Sequence, residues 1–460
     1  MWKKILLKDV DFFDKWQWNE QAQKFFDLLQ NDEGVIFLTG KAWTGKSTLI
    51  NDVISYYKYK NELPLVLWST WISALNIWGQ TVHSFFSLWI DNPYFQEIQY
   101  FLKDKNIKKY KLKKSKVNQM IHAPFLVIDE ISMLSSNTLD SIDFLMRFYL
   151  ALFTKNKELT KIPFGWKKMI FVGDVYQLPP VKDEKRCEKF WKVYDSERFF
   201  DSKVFSKLVN KWLWHVIELQ KNYRQRDDKN FSEILDSIRK WTISLDSLQL
   251  LNNNSASKKL DDSILLSTHR YKVDNENKMK LDKLPWDPYV FNSFVDGDYP
   301  DYKKRADDIL ELKVWAKVMM LTNESCWYWV NGSIWEIVWF DDEIIFVKIN
   351  WNVYPIWQYT WENVDSFIDE NWKINESVIG TYTQFPVKLA YAITIHKSQW
   401  MTFDNCRLDI SNVFTWWQAY TALSRARSLS WISLSWKINQ KHLFFDVRIK
   451  DFVDKYMGDL

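Results

Sequence analysis

Short apolar runs alternate with helix-period segments along most of this chain. The runs 35–39, 64–70, 124–128, 168–172, 213–219 and 263–267 are apolar almost without interruption, bounded by turn-forming or polar residues. That is the pattern of strands buried on both faces. Between and around them, residues 19–30, 48–54, 230–241 and 418–427 place apolar positions at helical spacing. The alternation predicts an α/β fold with parallel sheets and helices on both faces. The rhythm changes after about residue 292. Short β-like runs at 317–322, 333–340, 344–349 and 353–356 are separated by turn residues such as Asn331-Gly332 and Asp341-Asp342, which predicts a small antiparallel barrel. No internal repeat or low-complexity tract breaks the pattern.

One junction carries chemistry. Gly40-Lys41-Ala42-Trp43-Thr44-Gly45-Lys46-Ser47-Thr48 fits G-x-x-x-x-G-K-[ST] between a predicted strand and a predicted helix. Loop and helix N–H groups in that setting point at phosphate. Gly40, Trp43, Thr44, Gly45, Lys46, Ser47 and Thr48 are therefore expected to hold the phosphates of a nucleotide, with Lys46 on the β- and γ-phosphates and Ser47 on Mg²⁺. The run 124–128 ends in Asp129-Glu130. Asp129 is the expected second Mg²⁺ ligand, and Glu130 the group that orients and deprotonates the attacking water. Gln21, just upstream, has a side-chain amide that can pair with an adenine edge; a plain surface glutamine fits as well.

Composition changes one part of this picture. The chain of 460 residues holds 28 Trp and only 10 Gly, whereas Gly averages about 7% of residues. An indole at position 43 sits where the backbone must curl around phosphate. Trp78-Gly79, Trp286 after Pro285, Trp327 and Trp329 before Asn331-Gly332, and Trp416-Trp417 also stand where glycine makes physical sense. Some bacterial lineages read the UGA codon as glycine, and the expectation is that most of these tryptophans are such codons; a truly Trp-rich protein is the alternative.

Other features bound the function. A net charge of +4 is mildly basic. Residues 103–116 hold eight lysines against Asp104, a tract expected along a nucleic-acid path rather than as a plain solvated face. Cys187, Cys326 and Cys406 form no C-x-x-C pair and the histidines no ligand-spaced cluster, which argues for reduced thiols and against zinc. No apolar run reaches the length of about 18 residues that a membrane helix needs, so a soluble, cytoplasmic protein is expected.

Four segments resemble one family. They are 70–86, read with Trp71 and Trp78 as glycine; 168–180, ending Gly173-Asp174-Val175-Tyr176-Gln177-Leu178-Pro179-Pro180; 387–402, with Trp400 as glycine; and 418–427. In this order they are similar to superfamily 1B DNA helicases of the petite-integration-frequency type, relatives of RecD, over about residues 19–450. The resemblance implies two RecA-like P-loop domains that sandwich ATP–Mg²⁺, with a small inserted wedge and an inserted small β-barrel. The boundaries expected are 1–205 for the first domain, with the wedge at about 87–120; 206–295 and 386–445 for the second; 296–385 for the barrel; and 446–460 for a tail. It also implies that Gln177 lies near the γ-phosphate, and that Arg224 and Arg425 reach the nucleotide from the second domain; Arg427, two residues on, faces elsewhere on a helix and is expected to be structural. Thr70, His83, Ser84, Phe85, His396, Ser398 and Gln399 are expected on DNA, the last three bonding either its backbone or neighbouring motif residues. Hydroxyls at 70 and 84 can bond phosphate, and a ring at 85 can stack on a base; core packing is the alternative for Phe85 and the favoured reading for Phe86.

The implied function is an ATP-dependent DNA helicase moving 5′→3′ on single-stranded DNA and opening forked DNA. The implied setting is replication, repair or recombination, as a monomer near a bacterial nucleoid. A catalytically impaired strand-binding protein is the alternative if Trp43 and Trp400 are genuine. A GTPase or small-molecule kinase lacks its Asn-Lys-x-Asp signature here, and a translocase inside a nuclease complex stays open.

Overall fold

The computed structural model describes residues 14–457 except 32–33, 42–43, 70–79, 89–97, 99–110, 181–187, 222–227, 257–262, 323–328, 330, 342, 350, 369–373, 396, 399–400, 402, 404, 411–415 and 440–446. The chain divides into two compact units, residues 1–224 with 446–460, and residues 225–445.

In the first unit the apolar runs become β1 (Val35–Gly40), β2 (Leu65–Trp68), β3 (Gln80–Thr81), β4 (Leu126–Asp129), β5 (Met169–Val172) and β6 (Trp214–Leu219). They form one six-stranded sheet in the order β3-β2-β4-β5-β1-β6, and each pairing is parallel. Successive strand side chains point to opposite faces, so each strand feeds two cores. On one face Ile36, Leu38, Val127, Ile170 and Val172 pack with Ala22, Phe25, Phe26 and Leu29 of the helix Glu20–Asn31 and with Leu49, Ile50 and Val53 of the helix Lys46–Tyr59. The first of these helices starts where Asn19 Oδ1 accepts the Ala22 N–H at 3.0 Å, the usual device for an orphan donor at a helix start.

On the other face Phe37, Phe199, Phe205 and Trp214 meet Phe452, whose ring stacks on Phe200 at 4.4 Å. Phe452 belongs to the helix Val447–Tyr456. Two expected boundaries move as a result. The strand at 214–219, expected to open the second domain, pairs with β1 and completes the first sheet. Residues 447–456, expected as a tail, are a helix that buries Ile449 and Phe452 in the first unit. Removing such a buried ring typically costs about 3–5 kcal/mol.

In the second unit β7 (Ile264–Ser267), β18 (Ala392–Thr394), β19 (Cys406–Asp409) and β20 (Ile432–Leu434) form a parallel sheet in the order β18-β7-β19-β20. Between β7 and β18 the chain is antiparallel. The strands there are β8 (Tyr289–Asn292), β9 (Phe294–Gly297), β10 (Ile309–Leu312), β11 (Lys317–Met320), β12 (Ile334–Asp341), β13 (Ile344–Ile349), β14 (Asn352–Trp357), β15 (Tyr359–Ile368), β16 (Ile374–Gln384) and β17 (Val387–Leu389). The five-stranded sheet β14-β13-β12-β11-β17 contains all four runs read from the sequence. Val318, Met320, Ile337, Ile345, Val347 and Ile356 fill its core. The antiparallel part starts at Tyr289, a few residues ahead of the expected boundary. Most of the expected wedge lies outside the described residues.

Candidate nucleotide-binding site

The parallel sheet of the first unit gathers its polar residues at the C-terminal ends of its strands, where open α/β sheets bind ligands. At the end of β1, Gly40 has φ +147°, and a Cβ there would come within 2.5 Å of the Leu219 carbonyl and 2.7 Å of Thr44 Oγ1. Only glycine fits. Gly45, with φ 90°, caps the helix Lys46–Tyr59 and supplies no side-chain bond to its first N–H groups. Those donors are the kind that a phosphate satisfies.

The loop is held from inside. Thr44 Oγ1 donates to the Lys41 carbonyl at 3.0 Å. Lys46 Nζ donates to the carbonyls of Gly40 at 2.7 Å and Lys41 at 2.9 Å. An ammonium bonded to neutral carbonyls in a phosphate loop is placed to exchange them for phosphate oxygens, which bind it more strongly through charge. The Thr39 hydroxyl, just before the loop, is buried with no hydrogen-bond partner.

Asp129 and Glu130 lie at the end of β4, both buried. Asp129 Oδ1 accepts the Glu130 N–H at 2.7 Å, and Glu130 has left-handed backbone, φ 53°. That twist falls directly after the last strand residue, Asp129. Burial pushes the Asp129 carboxyl up to about 7, against the lowering effects of the Glu130 N–H bond and the Lys46 charge. A carboxylate that costs this much to ionise in a buried position is a ready ligand for a cation. Ser47 and Asp129 line one small cleft with Asn51, Val66 and Trp68. The donor set therefore fits Mg²⁺ held by a hydroxyl, a carboxylate and substrate oxygens. Among the described residues no three His, Cys, Asp or Glu side chains form a self-sufficient metal cage.

Beyond β5, Gln177 is buried. Its N–H donates to the Asp174 carbonyl at 2.9 Å and its side-chain amide lies 3.4 Å from Asp174 Oδ2. Asp174 also accepts the Tyr176 N–H at 3.1 Å. Sequence reasoning singled out Gln177 and missed Asp174, the residue that orients it; an acid directly after a strand-ending glycine was the available signal. Thr48 is exposed, and Gln21 is half-buried on the helix Glu20–Asn31.

The residues expected on DNA fare unevenly. His83 and Ser84 are half-buried in the short helix Val82–Phe85, capped by Thr81 Oγ1 on the Ser84 N–H at 3.1 Å. Lys116 Nζ donates to the Ser84 carbonyl at 2.6 Å. Phe85 corrects the expectation of a stacking ring: it is fully buried edge-to-face on Phe86, with Lys116 Nζ 5.9 Å from its centroid. In the second unit the Ser398 hydroxyl is buried and donates to the Ile395 carbonyl at 2.8 Å, so it serves a neighbouring motif residue. Thr70, Arg224, His396, Gln399, Trp43 and Trp400 lie outside the described residues.

Arg425 is buried just beyond the helix Trp416–Leu423. Its guanidinium donates to the Thr421 carbonyl at 2.8 Å and the Ser424 hydroxyl at 2.7 Å. Arg427 is the exposed member of the pair, 6.0 Å from the Trp431 ring.

Residues 18–252 match the family model described as PIF1-like helicase. The ATP-dependent DNA helicase Pif1 of Campylobacter jejuni is 30% identical over 85% of this chain and 86% of its own length. The crystal structure of Bacteroides sp. Pif1 in complex with ADP-AlF4 superposes with a TM-score of 0.80 at 30% identity, covering 95% of this chain and 97% of that one. Bacteroides Pif1 bound to single-stranded DNA gives 0.66 at 30% identity, covering 95% and 97%. With a phosphate loop, an Asp-Glu strand end and an oriented glutamine on one parallel sheet, the chain belongs to the PIF1-like helicase family.

Proposed function

We propose that this protein hydrolyses ATP with Mg²⁺ to move 5′→3′ along single-stranded DNA and open forked duplexes as a monomer. The observation that carries the reading is the convergence of Lys46, Asp129, Glu130 and Gln177 on the strand ends of the first sheet. Lys46 leaves the Gly40 and Lys41 carbonyls for the β- and γ-phosphates. Gly40 and the helix start at Lys46 cradle the phosphate chain with backbone N–H groups. Ser47 and Asp129 would hold Mg²⁺, which would supply positive charge against the phosphate oxygens. Glu130 takes the proton of the attacking water, and Gln177, aligned by Asp174, senses the terminal phosphate. Arg224 and Arg425 are assigned to charge stabilisation during turnover, a role typically worth about 10³–10⁵ in rate. The ssDNA-bound relative supports strand binding here, and the lysine tract at 103–116 is the proposed approach path.

The test combines two measurements: ATP hydrolysis with and without single-stranded DNA, and strand displacement on forks with either a 5′ or a 3′ tail. DNA-stimulated hydrolysis with displacement from the 5′ tail alone is expected. Hydrolysis that ignores DNA would remove the motor reading, and displacement from the 3′ tail would reverse the polarity.

A further inference from the structure

Nine non-glycine residues among those described have positive φ, and four of them are tryptophan: Trp166, Trp212, Trp241 and Trp315. Left-handed backbone is rare for any residue with a Cβ, and the exceptions are mostly Asn and Asp. Tryptophan has no local hydrogen bond to offset the strain.

Hydrogen bonding defines each of these four sites independently of φ. After the helix Lys203–Asn210, the Trp212 N–H bonds the Val209 carbonyl at 3.1 Å and the Leu213 N–H bonds the Leu208 carbonyl at 2.9 Å. After the helix Lys229–Arg239, the Trp241 N–H bonds the Ile238 carbonyl at 3.2 Å and the Thr242 N–H bonds the Ser237 carbonyl at 2.8 Å. Both are complete Schellman caps, whose first residue past the cap is usually glycine and sometimes asparagine. The same chain makes a third such cap after Lys46–Tyr59, through Asn61 at φ 59°, with 2.9 Å bonds to the Lys58 and Tyr57 carbonyls. It obeys the rule.

The other two sites are turns. The Ala316 N–H bonds the Lys313 carbonyl at 3.0 Å, and Trp315 at φ 67° occupies the third position, which demands glycine or asparagine in a type II turn. The Lys167 N–H bonds the Phe164 carbonyl at 3.3 Å across Gly165 and Trp166, at φ 62° and 65°. Paired positive φ is the mark of a type I′ turn, dominated by Gly, Asn and Asp. Three of the four side chains also point into solvent, at 52%, 86% and 48% exposure for Trp166, Trp212 and Trp315.

We infer that the native residue at 166, 212, 241 and 315 is glycine, encoded by UGA and read as glycine by the source organism. The inference rests on backbone geometry and stands whether or not the motor reading holds. By the same decoding, position 43 of the G-x-x-x-x-G-K-[ST] motif would also be glycine.

The decisive experiment is mass spectrometry of the native protein, on peptides spanning the four positions. Glycine at all four is the expected result; an intact tryptophan at any one overturns the inference for that site, and at all four overturns it altogether. The complementary experiment compares the full chain as written with a variant carrying Trp166→Gly, Trp212→Gly, Trp241→Gly and Trp315→Gly. Relief of left-handed strain should raise the thermal midpoint by about 5–10 °C. An unchanged or lower midpoint would show that these positions do not demand glycine.

Discussion

The two parallel sheets place carboxylates in opposite circumstances. At the end of β4 in the first unit, Asp129 is buried and its carboxyl is pushed up to about 7. At the end of β19 in the second, Asp409 accepts an ion pair from Lys272 Nζ at 2.6 Å, and Ser267 on the adjacent β7 lies 3.5 Å away. In the same unit, Asp228 caps the helix Lys229–Arg239. Although burial opposes it, bonds from the Phe231 and Leu429 N–H groups and the Ser428 hydroxyl hold its carboxyl below the usual range. One unit keeps an acid that is costly to ionise, and the other satisfies its acids internally. The shared architecture does not set this difference; the residues at the strand ends do.

The sharpest break is Glu130→Gln. It removes the proposed base and leaves its shape, and should cut DNA-stimulated ATP hydrolysis by about 10²–10⁴-fold while nucleotide binding, read by calorimetry, persists. Equal loss of both would move Glu130 from chemistry to structure. On the second sheet, Lys272→Met removes the ammonium paired with Asp409 and should destabilise that unit by about 1–3 kcal/mol, read by urea titration. An unchanged midpoint would mean that Asp409 has other support.

Asp129→Asn tests the contrast by sign. A raised folded pKa gives stability that is present below the ordinary carboxylate range and lost as pH rises through about 7. In nucleotide-free protein the substitution should therefore raise the thermal midpoint at pH 8 by several degrees, raise it less at pH 5, and change little below about pH 4. For Asp228 the linkage runs the other way. Its lowered pKa gives stability present above the ordinary range and lost as pH falls through the folded value. Asp228→Ala should cost about 1 kcal/mol at pH 7, with the deficit shrinking below pH 4. Matching pH trends for the two variants would dissolve the comparison.

Much of the molecule was legible in the amino-acid order. Buried strands in a parallel sheet must be apolar on both faces, so Val35–Leu38 and Leu126–Ile128 announce themselves. The phosphate loop needs residue types at fixed spacing, so Gly40, Gly45 and Lys46 do too. The surplus of tryptophan over glycine was visible by counting, but which tryptophans stand in left-handed turns was not, because φ depends on the hydrogen bonds that close each cap.

What stayed hidden depended on distant pairing. A strand at 214–219 looks the same whether it begins one sheet or completes another, and its hydrogen bonds to β1 are 179 positions away in the register of Val35 with Trp214. The helix at 447–456 has an apolar stripe that any sheet face could cover. Phe85 and Phe86 are identical in type, so only packing could bury both. Sequence alone thus determined the strands, the loop and the residue types at the strand ends, because those are local in the chain. Sheet membership, the return of the last helix to the first unit and the burial of Phe85 came from tertiary structure, because burial is shared between segments that the order of residues keeps apart.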